Sequence, residues 1–277
     1  MARELWYADG YLLSNREVRD VSYDSTIFDT PGKRGDNSVI AQNHGEIWRP
    51  KFYTANSFTL NMWTFNRVSQ ATAIDLYREL IRVVNRTNEL VTYERKWDDN
   101  SRAYRCQGEV ITAVSPAFTS NRSYRFGIEV VVPGAFWEAS GASTHSTPAS
   151  ATLPQTLTLT NHADSTAPMS DFTYTIVGPV TNPRVETMKS GAVTGVYVQY
   201  NGTVGAGQSL VINANTWAVT GTGGLTVNES LLDYNSGRYL TIQARMYTET
   251  APQLRFTGSN AAATTQLSVT GRSKVLV

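Results

Sequence analysis

Only one stretch of this 277-residue chain repeats its apolar residues at a helical spacing. Between Ser69 and Arg86 they fall at Ala73, Leu76, Tyr77, Leu80, Ile81 and Val84, the i, i+3, i+4, i+7, i+8, i+11 series that lines a single face. Ser69 is placed to cap the free amides of the first turn, and Asn85 suits a helix stop. Asp75–Arg78 and Glu79–Arg82 are opposite charges three residues apart. Elsewhere the period is two. A chain with one amphipathic helix and many strands builds its cores from sheets, so the expected class is mainly β.

In the first half, Phe58, Leu60 and Met62 alternate with Thr59, Asn61 and Trp63 along Ser57–Phe65, a strand expected to meet protein on both faces. Leu90–Trp97 and Ser101–Cys106 flank Asp98-Asp99-Asn100, which reads as a hairpin turn. Glu109–Val114 and Ser123–Val132 continue the sheet until Pro133-Gly134 ends it. The second half shows no helix. Its strand candidates are Thr156–Thr160, Phe172–Val177, Gly195–Tyr200, Ser209–Asn213, Tyr239–Tyr247, Gln253–Phe256, Gln266–Val269 and Lys274–Val277. Turn signals such as Asn201-Gly202, Gly223-Gly224 and Asn235-Ser-Gly237 separate them, a pattern that predicts an antiparallel sandwich or jelly roll.

The halves differ in composition. Residues 1–138 hold 17 Lys+Arg and 17 Asp+Glu, and residues 139–277 hold 7 and 6. Trp6, Trp48, Trp63, Trp97 and Trp137 lie in the first half and Trp217 in the second. Between them, Ala139–Ser150 is small, polar and uncharged, with too little apolar surface to offset its ordering entropy. The expected organisation is a domain at 1–138, a linker at 139–150 and a domain at 151–277.

Catalytic chemistry finds little support. The net charge of +1 leaves no footprint for nucleic acid or an anionic membrane. No stretch reaches the ~18 apolar residues of a membrane helix, and Met1–Gly10 has no signal-peptide h-region. The single cysteine, Cys106, excludes a disulfide within the chain. His44, His145 and His162 show no ligand spacing, so each reads as a surface or turn residue and no metal or cofactor is expected. Gly205-Ala-Gly207-Gln-Ser209 lacks the P-loop lysine and leads into a strand, which makes it a hairpin turn. Asp98-Asp99 reads as a solvated turn, and Asp164 and Asp171 have no evident acid partner. No nucleophile elbow occurs, and the expectation is a protein without enzymatic activity.

Segment order carries the remaining information. Arg34-Gly-Asp-Asn-Ser-Val-Ile40, then His44-Gly45-Glu-Ile-Trp-Arg-Pro-Lys51-Phe-Tyr53, then Phe58-Thr-Leu-Asn-Met-Trp63, then the helix and Leu90-Val-Thr-Tyr-Glu-Arg95, resemble the N-terminal domain of siphophage distal tail proteins. Leu157-Thr-Leu-Thr-Asn161, Thr175-Ile-Val-Gly178 with Asn182-Pro183, and Gly207-Gln-Ser-Leu-Val-Ile-Asn213 resemble that family's C-terminal sandwich. Thr64-Phe65-Asn66 departs from the family, which often has a glycine there. The resemblance implies a β-barrel-like N-terminal domain with one α-helix and a jelly-roll or galectin-like C-terminal β-sandwich. It also implies a virion component made in the host cytoplasm, a homohexameric ring at the tail tip. Its partners would be further copies of itself, the tail tube protein, the tail hub or tail-associated protein and the tape measure protein. A second expectation, from a different class, is glycan or receptor binding through the C-terminal sandwich, for which Trp217 and Tyr200 are the candidate contacts.

Overall fold

A computed structural model describes residues 4–14, 19–21, 33–34, 38–39, 46–47, 52–64, 68–97, 103–119, 123–214, 216, 218–234, 240–245 and 249–276. The chain divides into two units, Met1–Ser140 with Leu276–Val277, and Gly141–Val275.

The first unit opens with β1 (Glu4–Ala8), β2 (Tyr11–Leu12) and β3 (Arg19–Val21). Two short ladders follow, β4 (Lys33–Arg34) with β7 (Phe52–Tyr53) and β5 (Ser38–Val39) with β6 (Glu46–Ile47). After these come β8 (Asn56–Thr64), α1 (Gln70–Val84), β9 (Val91–Trp97), β10 (Ala103–Phe118), β11 (Tyr124–Val132) and β12 (Trp137–Ala139). The main antiparallel sheet runs β2-β1-β9-β10-β11-β8-β3, with β12 also beside β10. Among the described residues its two ends do not meet, so the barrel-like domain is an open sheet, not a closed barrel.

Helix α1 forms where its apolar period lies. The Ser69 Oγ accepts the Thr72 amide at 3.1 Å, and the buried stripe Ala73, Leu80 and Val84 packs over β10 and β11. On β8, Phe58, Leu60, Met62 and Thr64 are buried while Thr59, Asn61 and Trp63 are half-buried, as strand alternation requires. The aromatic core gathers Trp6, Phe58, Tyr93 and Trp137, with Trp6–Trp137 and Phe58–Tyr93 edge-on at 5.6 Å. Beside it, Arg95 faces its cross-strand partner Trp6, lies 5.0 Å from the Trp97 ring centroid and pairs with Glu4.

Where the sequence suggests two strands, Ser101–Cys106 and Glu109–Val114, the structure has the continuous β10. Gly108 makes this possible, because a Cβ there would meet Val130 Cγ1 at 2.4 Å and the Val131 carbonyl at 3.0 Å. Cys106, two residues earlier, is 4 % exposed, and burial pushes its thiol well above the ordinary range. Its reaction with an aromatic disulfide reagent is therefore expected only on unfolding. Fast labelling of the native chain at pH 8 would count against this packing.

The second unit comprises β13 (Ser143–Ser146), β14 (Gln155–Thr158), β15 (Thr173–Val177), β16 (Val180–Lys189), β17 (Ala192–Tyr200), β18 (Thr203–Val204), β19 (Ser209–Asn213), β20 (Val219–Thr222), β21 (Leu232–Tyr234), β22 (Gln253–Ser259), β23 (Gln266–Gly271) and β24 (Lys274–Val275). Two antiparallel sheets, β13-β23-β15-β19-β20 and β14-β22-β16-β17-β21 with β18 beside β16, enclose one apolar core. Tyr174, Ile176, Leu210, Ile212, Leu267 and Val269 enter it from the first sheet, and Leu157, Val185, Val198, Leu254 and Phe256 from the second. This is a β-sandwich. Its helical turns are the single 3-10 turns Thr160–His162 and Glu229–Leu231, with no α-helix among the described residues.

Four expectations change here. The stretch expected to be a linker contains β13, which pairs with Ser268–Gly271, and the amides of Thr147 and Ser150 bond to the carbonyls of Leu267 and Thr265. An edge strand held by main-chain bonds needs little apolar surface, so small hydroxyl residues suffice. Strand β16 is absent from the strands expected of the sequence, and its Pro183 sits where the register with β22 slips between Thr181 and Arg184, a bulge where the missing N–H leaves no gap in the ladder. Tyr239–Tyr247 is not a ladder strand in its described part, Leu240–Arg245, where Ile242 makes an isolated bridge with Met169 while Leu240 and Ile242 fill the core. Finally, Gly205–Ser209 joins β18 of one sheet to β19 of the other and is thus not a hairpin turn.

Candidate functional site

The feature of the first unit that its own packing does not explain is the distal half of β10. Up to Gly108 the strand is flanked by β9, and beyond it β10 pairs, among the described residues, with β11 alone. The other edge of residues 109–118 therefore offers main-chain groups and side chains to a further partner. Ile111, Val114 and Phe118 there are 54 %, 56 % and 62 % exposed. No charged residue occurs from Val110 to Phe118, although the surrounding half of the chain is rich in them. Edge strands exposed to water normally carry lysines or other charges that discourage pairing.

The local geometry favours side-chain contact over simple strand addition. The register with β11 shifts between Val110 and Thr112 and again between Val114 and Ala117, and Pro116 lies in the second shift. Bulges and a proline twist the edge and interrupt its amides, so a long added ladder is disfavoured. Val114, opposite Gly127, and Phe118, opposite Tyr124 and packed edge-on against it at 5.7 Å, present exposed apolar side chains on the two faces of the strand. An uncharged segment with exposed apolar side chains has the composition of an interface core.

The residues singled out in the sequence fare differently. Tyr200 is 3 % exposed and belongs to the sandwich core, which leaves no ring face for a sugar. Trp217 lies outside the described residues, as do His44 and Asp98-Asp99. Asp171 is ion-paired with Lys274 and accepts a hydrogen bond from Ser170 Oγ at 2.9 Å, an arrangement that holds the carboxylate in place. Trp6 and Trp137 are core residues, whereas Trp63 and Trp97 are half-buried beside Arg125 and Arg95. Among the described residues, no group of three His, Cys, Asp or Glu side chains could hold a metal ion, and no helix is long and apolar enough to cross a membrane.

The structure also brings together two histidines that the sequence gives as separate surface residues. The rings of His145 on β13 and His162 in the first 3-10 turn are 5.2 Å apart, and His162 is 1 % exposed. They are separated by 17 positions and sit on different elements, so no spacing rule signals them.

An open sheet with one helix, followed in the same chain by a β-sandwich, defines a two-unit, mainly-β class of protein. Across nearly its whole length the chain shares this fold with Dit (gp 19.1) of phage SPP1, described as a paradigm of the hub adsorption apparatus in phages infecting Gram-positive bacteria. The TM-score is 0.65 at 11 % identity, over 98 % of this chain and 99 % of that one. A chain of the phage P2 baseplate in its activated conformation with Ca matches at a TM-score of 0.42 and 10 % identity, over 99 % of both chains. No protein-family profile and no curated protein sequence matches the chain.

Proposed function

We propose that this protein is a structural component of the tail of a long-tailed bacteriophage, a distal tail protein whose copies close into a six-membered ring between the tail tube and the tail-tip hub. The observation that carries the reading is the uncharged edge of β10, unpaired among the described residues, with Ile111, Val114 and Phe118 exposed. A surface of this kind, repeated on every copy, is used up when a head-to-tail contact closes on itself. The shared fold with a hub protein supports the location, and the balance of 17 basic and 17 acidic residues in the first half lets copies approach without net repulsion. In this reading the sandwich is the outward module, and the partners are the tube protein, the hub and the tape measure protein.

Light scattering on the purified chain is expected to give a particle near six times 30.5 kDa, alone or on addition of tube or hub protein. Electron micrographs should show rings. A chain that stays monomeric at every concentration and joins neither partner would refute the proposal.

A further inference from the structure

We infer that His145 and His162 form an acid-sensitive latch, which fastens the edge strand β13 to the sandwich at neutral pH and releases it on acidification. The argument starts from what holds this strand. Its four residues pair with Ser268–Gly271 along one side only, since β13 ends its sheet. On the outer face Thr144 meets Thr270 and Ser146 meets Ser268, hydroxyl to hydroxyl at 2.8 and 2.7 Å. On the core face the register places His145 opposite the buried Val269, and its ring lies against that of His162. The inward anchor of the strand is thus one imidazole resting on another.

The protonation state of His162 follows from its partners. Ser273 Oγ lies 2.9 Å from His162 Nδ1 and 3.3 Å from the Asn161 carbonyl, so Nδ1 has a hydrogen-bond partner in either tautomer. The charged ring carries a proton on both nitrogens, and its Nε2–H then needs an acceptor of its own. Nε2 of His162 is buried with no hydrogen-bond partner among the described residues, and so is Nε2 of His145. Protonating His162 creates a buried N–H without an acceptor, beside the Phe172 ring at 5.1 Å. Protonating both rings places two like charges 5.2 Å apart.

The neighbours do not offset that charge. Among the described residues, the ionisable group whose charge bears on His162 is His145, which opposes protonation. Ser273 is neutral, and Lys274 after it is ion-paired with Asp171. Burial and then His145 push His162 down from the ordinary 6.5 to about 4, and burial also lowers His145. In the released state the rings meet water and regain ordinary affinity for protons. The latch is therefore fully closed above about pH 6.5 and weakens as the pH falls toward 4.

The test is hydrogen exchange on the full chain between pH 7 and 4.5, each amide referred to its own intrinsic rate at that pH. Protection of residues 143–147 is expected to fall by roughly tenfold or more, while β15 and β19 keep theirs. In the His145→Gln variant this pH dependence should lessen, because the buried His162 still titrates, and in the His145→Gln/His162→Gln variant it should flatten. Unchanged protection at 143–147 down to pH 4.5 overturns the inference, as does an equal loss in both variants. His145 lies on an edge strand, so the single variant keeps the test available if the double variant does not fold.

Discussion

The Val114→Asp/Phe118→Asp variant is expected to be a monomer of 30.5 kDa under conditions where the unaltered chain forms its large assembly. Both side chains are more than half exposed in the single subunit, so carboxylates there meet water, and losing the Phe118–Tyr124 contact should cost its stability only about 1–2 kcal/mol. In the assembly the same carboxylates would be buried. The interface loses roughly 1 kcal/mol of apolar burial at each position and takes on the desolvation of a charge, which costs several kcal/mol more. With 1.4 kcal/mol per tenfold, association should weaken by about a hundredfold at the least. Sedimentation of the pair at matched concentration, beside their melting curves, separates the two effects. An assembly of unchanged size in the variant would mean that the copies meet elsewhere. A lower melting temperature without loss of assembly would place this edge in the fold of the subunit.

Arg95→Ala should cost the first unit as much stability as truncating a core side chain. The Arg95 side chain is 8 % exposed, stands opposite Trp6, lies beside Trp97 and pairs with Glu4 across the β1–β9 ladder. Removing it leaves the Glu4 carboxylate without its partner and opens a gap between two indoles. Breaking such a pair in a full interior costs 3–5 kcal/mol, and because Glu4 is 32 % exposed we expect about 3 kcal/mol, roughly a 10 °C fall in the melting of this unit. Glu4→Leu/Arg95→Met should recover much of the loss, because apolar groups of similar volume need no charge partner. A thermal melt of the three variants decides this. A fall below about 1 kcal/mol for Arg95→Ala would show the pair to be as weak as a surface contact.

The parts of the fold that were legible in the sequence are those governed by neighbours in the chain. The helix read from Ser69 to Arg86 is Gln70–Val84 with Ser69 as its cap, because cap and apolar period are both local. The strands Asn56–Thr64 and Val91–Trp97 follow their alternation for the same reason. Strands β13 and β16 were not legible. One has no apolar period, and the other contains Pro183, which is tolerated only because the opposite strand slips by a bulge. The candidate interface was half legible. Uncharged Val110–Phe118 is plain in the sequence, but whether its apolar side chains enter a core depends on where β9 stops.

By itself, then, the sequence determined that this is a two-part, mainly-β chain with one helix, since hydrophobic period and composition act over a few residues at a time. Tertiary structure alone decided that Trp6 and Trp137 are core, that Tyr200 is too, that the end of β10 faces outward, and that two histidines 17 positions apart share one buried corner. Exposure and proximity depend on which distant strand lies alongside, and sheet register sets that only after the whole sheet has formed.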